Sequence, residues 1–435
     1  MNLFLKNAQY VDWKTLSFDA CHIMLREGCD SPEFSHGPFI IPPTEGKNKI
    51  IDCDGMIVTH SFVNAHHHAY SALARGMPGP AVPPASFLEI LSNIWWVLDR
   101  AHDSETLEAS ALFTALECAK KGVTFVIDHH SSPECIEGSL ETLAKAFDQA
   151  GLSHLLCYEV TDRDGPDKAL QGIAETGQYL KKRQGLVGLH ASFTVGNDTL
   201  DKAVKLAEAH HAGIHMHVAE DRYDEDHSVQ FYRMRTIERL CSAGVLGMPK
   251  TILAHCIHIN ESERALLRRS PAFAVQNAES NLNNRVGAFD DRGLGGNIML
   301  GTDGMHSDML RSSRAAFFTG GLTGGTSPAV IYSRLRKAHD YLHDNGFDGD
   351  GENNLVILKY APPTPVTEEN FTGHFIFGLE AGHVEHVISG GRLIVEHGRV
   401  LTLDEKEVSA RAREAAMALW SRMGSLRKTG SWKKS

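Results

Sequence analysis

The sequence predicts an α/β protein: a (β/α)₈ TIM-like barrel with a small composite β-sandwich formed by both chain ends. Three observations carry this. Strand-like and helix-like segments alternate through the middle of the 435 residues, both ends are rich in short alternating strands, and histidine or aspartate stands at the ends of several middle strands.

The middle strands are MIVTHSFVNA, GVTFVID, SHLLCYEV, GLVGLHAS, GIHMHVA, TILAHCI, AFAVQN and NIMLGT. Amphipathic segments such as SETLEASALFTALECAKKG and DKAVKLAEAHHAG separate them. Eight parallel strands in this rhythm close into a barrel, placed at 57–360. An open doubly wound sheet competes, but no strand leads into a Gly-rich phosphate loop. The Pro- and Gly-rich stretch MPGPAVPPASF precedes an apolar helical piece, LEILSNIWWVLDR, placed to cover the barrel mouth. At the ends, LFLKNAQYV, CHIMLREG and KNKIIDCDG match the texture of NLVILKY and HVEHVISGGRLIVEHGRV. Residues 1–56 and 361–435 are therefore assigned to one β-rich domain, with a final helix from Glu405 to about Arg422.

Composition narrows the function. Hydrophobic residues at 42% and charged residues at 22% fit a soluble globular enzyme. A formal net charge of −11 argues against a nucleic-acid surface. No apolar run is long enough to span a bilayer, and the start lacks a signal-peptide layout. Eight cysteines without a C-x-x-C pair read as reduced thiols, which implies a cytoplasmic location. The basic stretch Arg427 to Lys434 reads as a frayed, solvated terminus.

Side chains of a strand alternate, so His66 and His68 point to one side and His67 away. The fifth strand repeats the pattern with His215 and His217, followed by Glu220. The sixth ends in His255 and the eighth in Asp303. All lie at C-terminal strand ends, where barrel enzymes build their sites. Imidazole and carboxylate ligands without cysteine suit one divalent ion, first Zn²⁺, with Fe²⁺ or Mn²⁺ as alternatives, and leave room for a catalytic water. Asp128, His129 and His130 end the second strand, and Glu159, Asp162 and Arg163 follow the third. Trp95 and Trp96 fit a core face as well as a stacking lid. Asn277, Ser280 and Asn281 suit pocket lining or a cap. His306 and Asp308 lie near the site.

The segments GMIVTHSFVNAHHHAYSALARG, GIHMHVAED, TILAHC, NAESNLNNRVG and LGTDGMHSDML resemble the amidohydrolase superfamily, in the branch of triazine hydrolases, guanine deaminases and cytosine-deaminase-like enzymes. CYEVTDRDG and VIDHH further resemble the SsnA aminohydrolases. The resemblance implies His66, His68, His217 and Asp303 as metal ligands, with Glu220, His255 and Asp303 catalytic. It prefers His217 to His215 because the ligand lies three residues before the catalytic glutamate. It implies a single metal, because no lysine ends the fourth strand. His190 matches a substrate-contacting histidine, although Ser192 stands where relatives carry proline, and His60-Ser61 replace a customary Pro-Gly. Arg163 and His129 complete the expected substrate contacts. The expected reaction is release of ammonia from an amino-substituted N-heterocycle by a metal-activated water. Opening of a cyclic amide, or cleavage of another C–N or a C–Cl bond, is the alternative at the same site. A non-catalytic metal-binding protein is a more distant one, disfavoured by Glu220. The expected partners are a small heterocyclic substrate and further copies of the chain in a homo-oligomer.

Overall fold

The computed structural model describes residues 2–29, 31–41 and 47–429. All eight expected middle strands are present: Phe62–His67, Val123–His130, Ser153–Tyr158, Val187–Ala191, Ile214–Val218, Ile252–His255, Phe273–Gln276 and Ile298–Leu300. The first three pair in parallel, as do the last five. Two seams join these groups into a ring. Val160 bridges Leu189 in parallel, and His67 bridges Asp303. At the second seam the amides of Thr302 and Asp303 both donate to the His66 carbonyl, at 3.1 and 3.0 Å.

Each seam needs a glycine. A Cβ on Gly188 would stand 2.3 Å from the Tyr158 carbonyl oxygen. One on Gly301 would stand 2.4 Å from Asn277 Oδ1 and 2.9 Å from the His66 carbonyl. The strands approach that closely only where no side chain intervenes.

The barrel interior is filled by Val63, Ala65, Phe125, Ile127, Leu155, Cys157, Val275 and Met299, with Tyr341 and Leu342 of the helix Pro328–Asp344 in the same cluster. The register of the first strand shifts between Asn64 and His67. That shift lets His66 join Ala65 on the interior, while His67 turns outward to Asp128 Oδ2 and Ser307 Oγ, each at 3.1 Å.

The chain ends meet in one nine-stranded sheet. Its path runs Arg399–Val400, Arg392–Glu396, Val384–Ser389, Leu355–Leu358, Ile57–His60, Asn2–Val11, Phe18–Arg26 and Glu33–Ser35, and Asn48–Asp52 pairs beside Asn2–Val11. Ile57–His60 leads directly into the first barrel strand, so the sheet fixes where that strand starts.

The final helix differs from expectation. It spans Glu405–Thr429 rather than ending near Arg422, and Arg427 is an anchor rather than part of a frayed tail. Leu419 and Met423 are buried, and Trp420 Nε1 donates to the Leu73 carbonyl at 2.9 Å. Arg422 Nε reaches the Ala101 carbonyl at 2.7 Å, and Arg427 donates to the carbonyls of Pro78 and Asn93. These apolar and polar attachments hold the last turns against the segments flanking the barrel mouth. Residues 430–434 of the basic stretch lie outside the described residues.

Candidate metal centre and active site

Non-glycine residues with left-handed backbone mark three strand ends: Ala219 (φ 48°), His255 (74°), Cys256 (49°) and Asp303 (53°). Such conformations are costly for side-chain-bearing residues and concentrate where a site dictates the geometry. Here they turn the chain just where Glu220, His255 and Asp303 must face the barrel axis.

Hydrogen bonds settle which imidazole nitrogens point inward. His68 Nδ1 lies 2.6 Å from the His129 carbonyl, and His217 Nδ1 lies 2.9 Å from the His190 carbonyl. A carbonyl only accepts, so both Nδ1 atoms carry protons and both Nε2 atoms face the cage. Those Nε2 atoms face each other at 3.1 Å. Asp303 Oδ1 stands 2.9 Å from His68 Nε2 and 3.6 Å from His66 Nε2. His255 Nδ1 is held by Asn281 Oδ1 at 2.8 Å, and its Nε2 is 3.8 Å from Asp303 Oδ2 and 3.5 Å from Glu220 Oε2. The Nε2 atoms of His66 and His255 are buried without a hydrogen-bond partner among the described residues. Single ligand atoms of His66, His217, His255 and Asp303 lie within 4.8 Å of one another.

A buried meeting of lone pairs and carboxylates is repulsive until a cation occupies it. The donor set therefore fits a divalent metal ion with nitrogen and oxygen ligands. Burial depresses His66 to about 3 and holds His217 well below the usual imidazole range, so both stay neutral and ready to ligate. Burial also works against charging His68, but Asp303 overrides it and lifts the imidazole to about 9, the proton on Nε2 being the one that a bound metal ion would displace. Asp303 stays ionised: burial opposes this, and the contacts with His66 and His68 outweigh it.

Glu220 sits at the edge of this cage. Burial pushes its carboxyl above the ordinary range, with Asp303 adding to the rise and His255 opposing it. Asn284 Nδ2 donates to its Oε1 at 3.2 Å.

Above the cage opens a pocket. Its wall includes Phe87, Leu91, Trp95, Trp96 and Asp99 from one continuous helical stretch, in which Leu91–Trp95 forms a π-turn. His190, Phe193 and Glu220 line the far side. Arg163 is in the wall, but its Nη2 is engaged by Asp99 and by Ser131 Oγ at 3.1 Å, and it lies over the Trp96 ring at 5.4 Å. His190 lines the cavity with Nδ1 on Thr194 Oγ1 at 2.6 Å, and burial lowers it to about 3. His129 is not among the lining residues. It is fully buried against the ligand histidines, 3.1 Å from the carbonyls of Leu189 and His215. Asp99, Phe193 and Asn284 were not singled out from the sequence. Phe87, Leu91, Trp95 and Asp99 do recur every four residues, and that helical stripe is the signal that marks the wall.

Comparison with known proteins agrees with this geometry. The family model "Amidohydrolase family" matches residues 57–329. A 5-methylthioadenosine/S-adenosylhomocysteine deaminase of Syntrophomonas wolfei is 28% identical over 403 residues, covering 85% of this chain and 88% of that protein. A 5'-deoxyadenosine deaminase of Methanococcus vannielii is 25% identical over 398 residues, covering 86% and 92%. Among solved structures, an adenosine deaminase from Xanthomonas campestris with bound zinc superposes with a TM-score of 0.80 at 18% identity, covering 96% of this chain and 98% of that one. The family match spans well over half of the chain and includes every residue of the histidine–carboxylate cage, so the protein belongs to the amidohydrolase family of metal-dependent hydrolases.

Proposed function

We propose that the chain is an aminohydrolase that releases ammonia from an amino-substituted purine or pyrimidine-like ring, with one divalent ion, first Zn²⁺, held by His66, His68, His217 and Asp303. The observation that carries this is Glu220, a buried carboxyl with a raised pKa set 3.5 Å from His255 at the edge of a lone-pair cage. The deaminases named above are similar to this chain over most of its length, which supports the leaving group.

The metal would polarise its water and bring that water's pKa to about 7. The remaining work falls to this chain. Asp303 takes the first proton of the attacking water. Glu220, starting as the carboxylate, carries that proton from Asp303 to the ring nitrogen and then carries the second proton of the water to the departing amine, so that water and the C–NH₂ bond become a C=O group and ammonia. His255 steadies the developing oxygen charge. Trp95, Trp96 and Phe193 sandwich a planar ring, while His190 and the Asp99–Arg163 pair supply its polar contacts.

This reading includes a cytoplasmic homo-oligomer. Eight unpaired cysteines support the compartment, and exposed Phe318, Leu322 and Phe377 support self-association. Light scattering in solution tests the second point, and a monomer at micromolar concentration would refute it.

The direct test is an ammonia-release screen of zinc-loaded protein against 5'-substituted adenosines, guanine and aminopyrimidines. One ammonia per ring-retained oxo product is expected. Silence across the panel with active control enzymes, or a ring-opened acid without ammonia, would overturn the reading.

A further inference from the structure

Beneath the cage, one ligand is continued by a file of buried hydrogen bonds into the barrel interior. His66 Nδ1 lies 2.8 Å from His215 Nε2. His215 Nδ1 lies 3.7 Å from Cys157 Sγ, and Cys157 Sγ lies 3.6 Å from the Asp128 carbonyl oxygen. All three side chains are fully buried.

The far end fixes the direction of the file. The Asp128 carbonyl can only accept, so Cys157 donates its S–H there and accepts at sulfur from His215 Nδ1–H. His215 Nε2 then carries a lone pair and accepts from His66 Nδ1–H. That leaves His66 Nε2 bare and aimed at the cage, where it has no hydrogen-bond partner among the described residues. We propose that His215 and Cys157 are positioning residues that hold His66 in its metal-binding tautomer and orientation. This rests on the reading of His66 as a metal ligand.

The file differs from the arrangement at the other two imidazoles. His68 and His217 are held directly by backbone carbonyls, which no substitution removes. Of the three proposed ligand imidazoles, only His66 depends on side chains for its tautomer, so it is the ligand that a substitution deep in the barrel can weaken. The sulfur is suited to this place. It must donate and accept over long contacts in a packed apolar cluster, and burial keeps the thiol protonated, well above its ordinary range.

The test measures metal affinity by chelator competition and the ligand-field absorption of the Co²⁺-loaded protein, for wild type, Cys157→Ala, Cys157→Ser and His215→Phe. A partner behind a ligand commonly changes metal affinity ~10–100-fold. Cys157→Ala and His215→Phe should weaken Co²⁺ and Zn²⁺ binding within that range and alter the Co²⁺ spectrum. Cys157→Ser, which keeps a donor and an acceptor, should restore most of both. Thermal melting of the metal-free proteins separates this from loosened packing, and if His215→Phe fails to fold, the cysteine pair decides alone. Unchanged affinity and spectrum in Cys157→Ala would overturn the role of the thiol, as would equal losses in Cys157→Ala and Cys157→Ser. A wild-type protein that binds neither metal would instead overturn the ligand assignment on which the file depends.

Discussion

Glu220 is the residue on which the proposed chemistry turns. It is mostly buried at the edge of the pocket, faces His255 and Asp303, and keeps one donor from Asn284. Glu220→Gln should retain stoichiometric metal by elemental analysis yet lose ~10²–10⁴-fold in kcat. Wild-type turnover in that variant would remove Glu220 from the mechanism. The proton transfer needs the carboxylate form, so kcat/KM should fall as pH drops through the Glu220 pKa. Because burial raises that pKa, the acid limb should lie above the ordinary glutamate value of ~4.3. A limb at or below that value would place the titration on another group. His66, His68 and Asp303 were legible in the sequence because strand alternation and strand-end position mark them, whereas the role of Glu220 came from the family resemblance. His215 and Cys157 were less so: strand alternation puts His215 on the same side as His217, but only the folded barrel brings Cys157 of the third strand beneath it.

At the scale of elements, the helical wall over the site was foreseen as a cover, though not its internal turn. The π-turn at Leu91–Trp95 inserts an extra residue into the helical repeat, so that Trp95 and Trp96 both border the cavity. A sequence read at 3.6 residues per turn assigns two adjacent tryptophans to different faces, which is why they looked equally suited to a core. Trp96→Ala should cost about 1–3 kcal/mol in substrate binding, read as a raised KM with metal content unchanged. An unchanged KM would return Trp96 to a packing role. The next helix, Ser104–Lys120, starts at a capping box in which Asp103 accepts from the Thr106 amide at 2.9 Å and its own amide donates to Thr106 Oγ1. Arg422 of the final helix also pairs with Asp103 at 2.8 Å. Asp103→Ala should therefore lower stability by about 1 kcal/mol in urea unfolding. The full length of the final helix was hidden because its last turns are fixed by carbonyls of Pro78 and Asn93, partners more than 300 residues away in sequence.

At the scale of the whole molecule, the barrel was legible from eight strands alternating with helical segments, but its two seams were not, since each depends on a glycine facing a distant carbonyl. Gly188→Ala forces a Cβ against the Tyr158 carbonyl and should destabilise the fold by about 1–3 kcal/mol, measured by denaturant unfolding. A neutral result would mean that this seam is loose. The other seam has a different character. The peptide that aims the Asp303 carboxylate at the cage is the same one whose amide reaches the His66 carbonyl, beside a second bond from Thr302. With Asp303 as the proposed ligand, closure of the ring and capture of the ion would share one stretch of backbone. Deuterium uptake at the Thr302 and Asp303 amides should then slow when zinc is added and quicken when it is stripped, which turns two peptide groups into a gauge of whether the enzyme is loaded.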